Sequence, residues 1–546
     1  MEQFSRPAKA GLIATRTLTR RETADYYHPA PRCGTAPRKD LCCLAPLMQS
    51  FILTLVPDKP AKLEVPECDA IVVGSGPNGL AAAIRLAQAG RKVVVLEGAG
   101  TPGGGVRSAE LTLPGFVHDI CSSVYAMVAC SPFMRELPLD KHGLDWAFPP
   151  APLAHPLDDG SAVMLHQSLD ETARSLGSSG GASGGANAGA DSDGYRRLMG
   201  DLVARWQDLL QDVFASPGIP KHPVFFAKFG LRAIRPAASL ARAYFKTNRG
   251  RALFAGLAAH SMLPLEKLTT SAVALVLAVA GHAAGWPFAR GGSQQLTAAL
   301  VKYLESLGGR VMTNCYVESL EQLPSVRAIL LDVTPRQLIH MAGAKLPGSY
   351  RRSLERFKYG PGVYKLDWAL HQPVPWRAAE CMQAGTVHLG GTLDEICESE
   401  RQPWRGKVSE RPYVLFTQAS LFDGSRAPAG KHTAWGYCHV PNGFTGDVTE
   451  AIEKQVERFA PGFRDCIAAR SVMRPAEMER HNPNLIGGDI GGGAAYLSQM
   501  FLRPTASLYR TPLDGVFLCS SSTPPAAGVH GMCGYFAAES ALKRFA

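Results

Sequence analysis

The 546-residue chain has no Cys-x-x-Cys pair, although it holds 13 cysteines. A zinc ribbon or a thioredoxin-type redox site needs such pairs, so neither is supported. Cys33, Cys42 and Cys43 lie near the N-terminus without a second pair at ligand spacing. No metal site is expected, and reduced thiols in an intracellular compartment are. Long apolar runs are missing too. The most apolar stretch, Ala272–Ala280, is less than half of the roughly 20 residues that a membrane-spanning helix needs. There is no Gly-X-Y period and no sustained heptad, while 46% of residues are hydrophobic. Collagen-like, coiled-coil and wholly disordered chains are thereby excluded.

Acidic residues are absent from one long stretch. Between Val213 and Pro264 there is no Asp or Glu, but Lys221, Lys228, Arg232, Arg235, Arg242, Lys246, Arg249 and Arg251 are present. The net charge is +10, and without this stretch it would be about +2. A uniformly basic nucleic-acid binder would not look like this, and nucleic acid is not expected as a partner. The same stretch interleaves Phe225, Phe226, Phe229, Leu231, Ile234, Tyr244 and Phe245 with its cations. A helix pair with a solvated basic side would give that pattern. So would peripheral contact of residues 221–251 with an anionic membrane surface.

Residues 1–65 lack hydrophobic periodicity and contain His28-Pro-Ala-Pro-Arg32, so a disordered extension is expected there. No apolar segment precedes a small-residue cleavage site, which argues against secretion. A cytoplasmic protein is expected, peripheral at a membrane if the basic stretch docks, and mitochondrial in a eukaryote. Gly177–Gly194 reads as a flexible, low-complexity insertion. Its Gly177-x-Ser179-x-Gly181 has no strand before it and no helix after it, so it is not a nucleophile elbow.

What is present near the start of the folded part is Asp69-Ala-Ile-Val-Val-Gly-Ser-Gly-Pro-Asn-Gly79. Gly74, Gly76 and Gly79, with Ser75 and Pro77 between them, form a G-x-G-x-x-G after an apolar strand and before an Ala-rich helix. A second strand, Lys92–Leu96, ends in Glu97, 18 positions past the last glycine. This is the dinucleotide-binding unit: the first glycine makes the tight turn, the second admits the diphosphate, and the third lets helix and strand pack closely. The helix N-terminus faces the phosphate charge. Glu97 can accept hydrogen bonds from ribose hydroxyls and would repel a 2′-phosphate, which favours FAD or NAD over NADP.

Further segments carry a resemblance. Gly98-Ala-Gly-Thr-Pro-Gly-Gly-Gly-Val-Arg-Ser108 resembles the Gly-Gly-x-x-Arg-Ser/Thr element of flavoproteins of the amine oxidase and phytoene desaturase group. Asp514–Gly534 resembles the closing flavin segment of that group, with Ala526 and Ala527 where many relatives have Gly. Gly285–Gln294, Leu331–Arg336, Tyr359–Lys365, Trp435–Asn442 and Phe459–Phe463 extend the likeness. From about Cys68 onward the chain resembles the phytoene-dehydrogenase-like FAD oxidoreductases.

The resemblance implies an α/β fold with a discontinuous, glutathione-reductase-like Rossmann domain that binds FAD, built from 66–115, 281–340 and 505–546. A mixed β-sheet and helical substrate domain, 116–280 and 341–504, is inserted. Gly104 and Arg107 would lie against the flavin diphosphate, and Val317, ending the strand that starts at Val311, would touch adenine. Thr523, Val529 and Met532 would belong to the closing segment, whose helix dipole favours reduced flavin. His530 is a candidate acid–base group or a turn cap. Arg290 is a candidate phosphate ligand or a turn cap.

A disulfide reductase would need a redox cysteine pair beside the flavin and usually a second glycine fingerprint. Neither is present, so one nucleotide site is expected, with electrons leaving to oxygen, a quinone or a protein partner. The function implied is dehydrogenation or isomerisation of a small apolar, isoprenoid-like molecule. Alternatives are an amine or other small-molecule oxidase, or a flavin-holding regulatory or scaffold protein.

Overall fold

Short runs of aliphatic side chains, buried at every position, are the signature of parallel strands covered on both faces. Two such runs are β1 (Ala70–Val73) and β2 (Val93–Leu96). The computed structural model describes residues 61–178 and 188–545. Its other principal strands are β3 (Ala151–Pro156), β4 (Ala162–Leu165), β5 (Arg310–Met312), β6 (Ala328–Leu331) and β7 (Gly362–Leu370). They continue with β8 (Ala384–Leu389), β9 (Val414–Thr417), β10 (His432–Val440), β11 (Ile467–Met473) and β12 (Val516–Leu518).

One sheet has the order β12-β6-β1-β2-β5 and is parallel throughout. Its strands come from three separated stretches of the chain. The second sheet, β11-β7-β10-β9-β8-β3-β4, is antiparallel except where β8 meets β3. Both lie in one compact unit, Lys59–Ala546.

The strand period of two gives the second sheet two different faces. Tyr364, Leu366, Trp368, Val387, Val414, Phe416, Ala434 and Cys438 point into an apolar core with Phe459 and Phe463. Their neighbours Lys365, Asp367, Thr386, His388, Leu415, Trp435, Tyr437 and His439 occupy the other face. That face looks toward the helices and carries the polar chemistry.

The helices explain the remaining burial. α1 (Pro77–Gln88) follows the glycine turn. Two helices follow, α2 (Ala188–Ala204) and α3 (Trp206–Val213), broken at Arg205. The insertion expected at 177–194 therefore ends early. Residues 188–194 are helical, and Asp191 is fully buried, accepting hydrogen bonds from the Lys246 and Thr247 backbone N–H groups. Residues 179–187 lie outside the described residues.

The basic stretch forms α4 (Pro223–Ala233) and further helices up to α5 (Asn248–Ala259). α6 (Thr270–Ala284) holds the most apolar run of the chain. α7 (Met532–Leu542) lies against α1 so closely that a Cβ on Gly534 would sit 1.8 Å from the Asn78 carbonyl oxygen.

Two smaller corrections concern ends. Leu63 donates its N–H to the Gln322 carbonyl at 2.8 Å and packs with Val65 against the parallel sheet, so the extension expected through residue 65 is ordered at its end. Residues 1–60 lie outside the described residues. Val317 is not in the strand expected from Val311, because β5 ends at Met312. Among the described residues no helix is long and apolar enough to cross a membrane, and all ten described cysteines are free thiols.

Candidate functional site

The glycine loop is shaped by close approach. Gly74 has φ +97°, a left-handed conformation that an L side chain rarely adopts. A Cβ on Gly79 would lie 2.1 Å from the Gly74 carbonyl oxygen, and one on Gly76 would lie 2.6 Å from Asp332 Oδ2. Gly104, at φ +55°, brings the next loop to within 3.0 Å of Gly76 Cα, measured from a would-be Cβ. Gly76 precedes α1 without a side-chain cap and Pro77 is its first residue, so in the first turn of the helix only the Gly79 N–H has a side-chain acceptor, on Asp332.

Two side chains set the charge around this loop. Glu97, at the end of β2, accepts from the Ser75 N–H and the Ala99 N–H, each at 2.9 Å. Arg107 donates to the carbonyls of Gly104 (2.8 Å) and His481 (3.0 Å). Among the described residues Arg107 has no ion-pair partner. It is 6% exposed and lines the cavity. A buried guanidinium without an ion-pair partner beside a helix N-terminus has the chemistry to hold an anion.

Asp332 was not singled out in the sequence. It follows β6, is buried behind the glycine loop, and accepts the Gly79 N–H at 3.0 Å. Burial, reinforced by Glu97, pushes its carboxyl up to about 7, against the pull of the Gly79 N–H. Nothing in Leu331-Asp-Val-Thr-Pro marks that role locally. It arises because β6 pairs with β1 in register, Leu331 opposite Val73.

The closing segment is mixed. Val529 lines the cavity. Thr523 is buried and donates its hydroxyl to the Ser520 carbonyl at 2.8 Å, and Met532 is core; neither side chain lines the cavity. His530 spends both ring nitrogens on backbone. Nε2 lies 3.1 Å from the Ala526 carbonyl, and Nδ1 lies 3.0 Å from the Met532 N–H. The carbonyl accepts, so Nε2 carries the proton. Burial lowers the ring to about 4. His530 is thus neutral and caps the turn, with no nitrogen left for proton transfer. Ala526 stands at φ +89°. Arg290 is at the surface, 2.8 Å from Asp145, and is not in the cavity.

A cavity of about 1350 Å³ joins the glycine loop to the polar face of the second sheet. This exceeds the roughly 300–1,000 Å³ of an ordinary small-molecule pocket. Val317, Ala526 and Gly491–Gly493 line it, and so do Phe226, Phe229, Val273, Val276 and Leu277 from the helices. The Gly487–Gly493 segment, which has the wrong spacing for a second nucleotide fingerprint, is held by Asp489, whose carboxylate accepts from Gly360, Gly491 and Gly493.

Comparison with known proteins agrees with this geometry. The family model of the NAD(P)-binding Rossmann-like domain matches residues 72–137. A rat protein described as pyridine nucleotide-disulfide oxidoreductase domain-containing protein 2 is 23% identical, covering 87% of this chain and 93% of its own. The neurosporene-forming phytoene desaturase of Rhodobacter capsulatus is 24% identical, covering 85% and 92%.

Over most of its length the chain is similar to the phytoene-dehydrogenase-like FAD oxidoreductases.

The fold of this chain is shared with the cyclohexylamine oxidase of Brevibacterium oxydans, at a TM-score of 0.53 and 14% identity over 88% of this chain and all of that one. The protein is an oxidoreductase with a dinucleotide-binding domain. Its own residues fit a dinucleotide: the glycine cradle has no room for Cβ atoms, Arg107 is an unpaired cation, and Glu97 stands at the end of β2.

Proposed function

We propose that the protein binds FAD and uses it to dehydrogenate or isomerise a small apolar, isoprenoid-like substrate by hydride transfer. The observation that carries this reading is that the glycine loop and Arg107 open into the same cavity that Phe226, Phe229, Val276 and Leu277 wall. Bound flavin would supply the hydride acceptor. The chain's own residues do the rest: Gly76, Gly104 and Arg107 would hold the diphosphate, Glu97 the ribose and Val317 the adenine. The apolar helices orient the substrate and exclude water. Electrons would leave to oxygen, a quinone or a protein partner.

The entrance supports delivery from a lipid phase. Ile219 and Leu231 are 94% and 74% exposed, and with Ile234 they line the cavity. Lys221, Lys228 and Arg235 lie in the same stretch with no ion-pair partner among the described residues. The inner side is core, since Phe225, Phe229 and Phe245 are buried. A basic, apolar rim of this kind suits an anionic membrane surface. Sedimentation with acidic liposomes tests it: binding that falls with salt is expected, and no binding at low salt refutes it.

An amine oxidase reading draws on the stacked Trp435–Tyr437 pair in the cavity, with ring centroids 5.8 Å apart. Aromatic faces attract cations. Lys365 Nζ already sits over the Trp435 ring at 5.2 Å, which disfavours a second cation there. Anaerobic bleaching of bound flavin separates the two: polyprenyl compounds should bleach it and simple amines should not. The opposite result would replace the apolar reading with the amine one.

A further inference from the structure

The helix-facing side of the second sheet holds a histidine pair that the proposed function does not use. His260, at the C-terminal end of α5, lines the cavity, and its Nε2 lies 3.0 Å from Nε2 of the fully buried His388 on β8. Two facing nitrogens need one proton between them, and the surroundings decide which ring supplies it.

His388 Nδ1 has no hydrogen-bond partner. It faces the backbone of α5, where a Cβ on Gly256 would come within 2.7 Å of it. A proton on that nitrogen would be an orphaned buried donor, which folded proteins avoid. The His388 proton therefore sits on Nε2 and is donated to His260 Nε2. That fixes the His260 proton on Nδ1, for which no described protein group is an acceptor. His260 stays neutral, because burial, reinforced by His439, drives its ring down to about 3.

The walls nearby offer no competing donor to the cavity. Trp286, whose ring lies edge-on to His260 at 6.1 Å, and Trp435 both line the cavity. Both are more than nine-tenths buried, and the indole N–H of each is without an acceptor. An indole can only donate. Neither indole nitrogen is reachable from the cavity, so His260 Nδ1–H is the donor without a protein acceptor that an incoming oxygen can meet.

We propose that the cavity recognises a neutral oxygen acceptor, a carbonyl or hydroxyl, on an otherwise apolar substrate, with His260 Nδ1–H as the donor that selects it. The inference rests on the apolar-substrate reading above and narrows it: a pure hydrocarbon leaves the His260 donor unpaired, and an ammonium group brings a donor to a donor.

The test uses FAD-loaded protein and three probes with the same fifteen-carbon chain: farnesal, farnesene and farnesylamine. Binding is followed by quenching of tryptophan fluorescence, and flavin content is recorded in each sample. Farnesal should bind about five- to tenfold more tightly than farnesene and more tightly than farnesylamine. His260→Phe should weaken farnesal to the level of farnesene and leave farnesene unchanged. If that variant loses its flavin, His388→Phe, which removes the proton that fixes the His260 tautomer, should reduce the same preference. Equal affinity of farnesal and farnesene, tighter binding of farnesylamine, binding of none of the three, or a preference that survives both substitutions overturns the inference. A protein that holds FAD but ignores the head group refutes this inference alone, whereas a protein that never holds FAD refutes the proposed function whatever the probes do.

Discussion

Asp332 offers a stability prediction with a definite sign. Its carboxyl is buried behind the glycine loop, faces Glu97, and titrates near 7 in the folded protein against an ordinary 3.8. The folded state therefore holds this proton more tightly than the unfolded chain does. Stability is fully present below the unfolded value and is lost as pH rises toward 7. The penalty for the ionised form amounts to about 4 kcal/mol once pH exceeds 7, from a shift of about three units at 1.36 kcal/mol each. Asp332→Asn keeps an acceptor for the Gly79 N–H and removes the charge. Its gain over the parent, measured by urea unfolding of flavin-free protein, should rise by about 3 kcal/mol between about pH 5 and pH 8.5 and then level off. A gain that does not change with pH, or no gain at all, would refute the claim that Asp332 is held against ionisation by burial. The arriving diphosphate adds negative charge on the same side, so FAD affinity at about pH 8.5 should be higher in the variant than in the parent.

Three other substitutions probe separate parts of the account. Gly534→Ala drives a methyl group into the Asn78 carbonyl, 1.8 Å from the would-be Cβ; thermal melts should show a loss of about 3 kcal/mol or more, with flavin released alongside. Arg426 is buried between Asp119 (3.0 Å) and Asp423 (2.9 Å), so Arg426→Leu leaves two unpaired buried carboxylates and should cost about 3–5 kcal/mol in urea unfolding. His530→Gln should lower stability by about 1–2 kcal/mol through its lost backbone bonds. Its flavin reduction rate per bound FAD should stay within about threefold of the parent, and a loss of about 100-fold would mean that the ring does catalyse.

The parts of the site legible in the sequence are those written contiguously. Gly74, Gly76, Gly79 and Glu97 belong to one strand–helix–strand unit, and each follows from local backbone needs. Asp332 and the His260–His388 pair were not legible, because strand register in the first case and helix-on-sheet packing in the second bring together residues more than 100 positions apart. Asp191 was hidden for another reason. Its Gly/Ala/Ser-rich neighbourhood resembles a linker, yet its carboxylate accepts the N–H groups that precede α5. His530 shows the converse. A histidine near the expected flavin ring reads as chemistry, and its two backbone bonds make it architecture.

The most direct test of the central claim is the visible absorbance spectrum of the purified protein, with identification of the nucleotide released on denaturation. The account predicts a flavin spectrum and released FAD in near-stoichiometric amount. A colourless protein that still takes up no flavin after incubation with FAD would contradict it, whatever else the glycine loop binds.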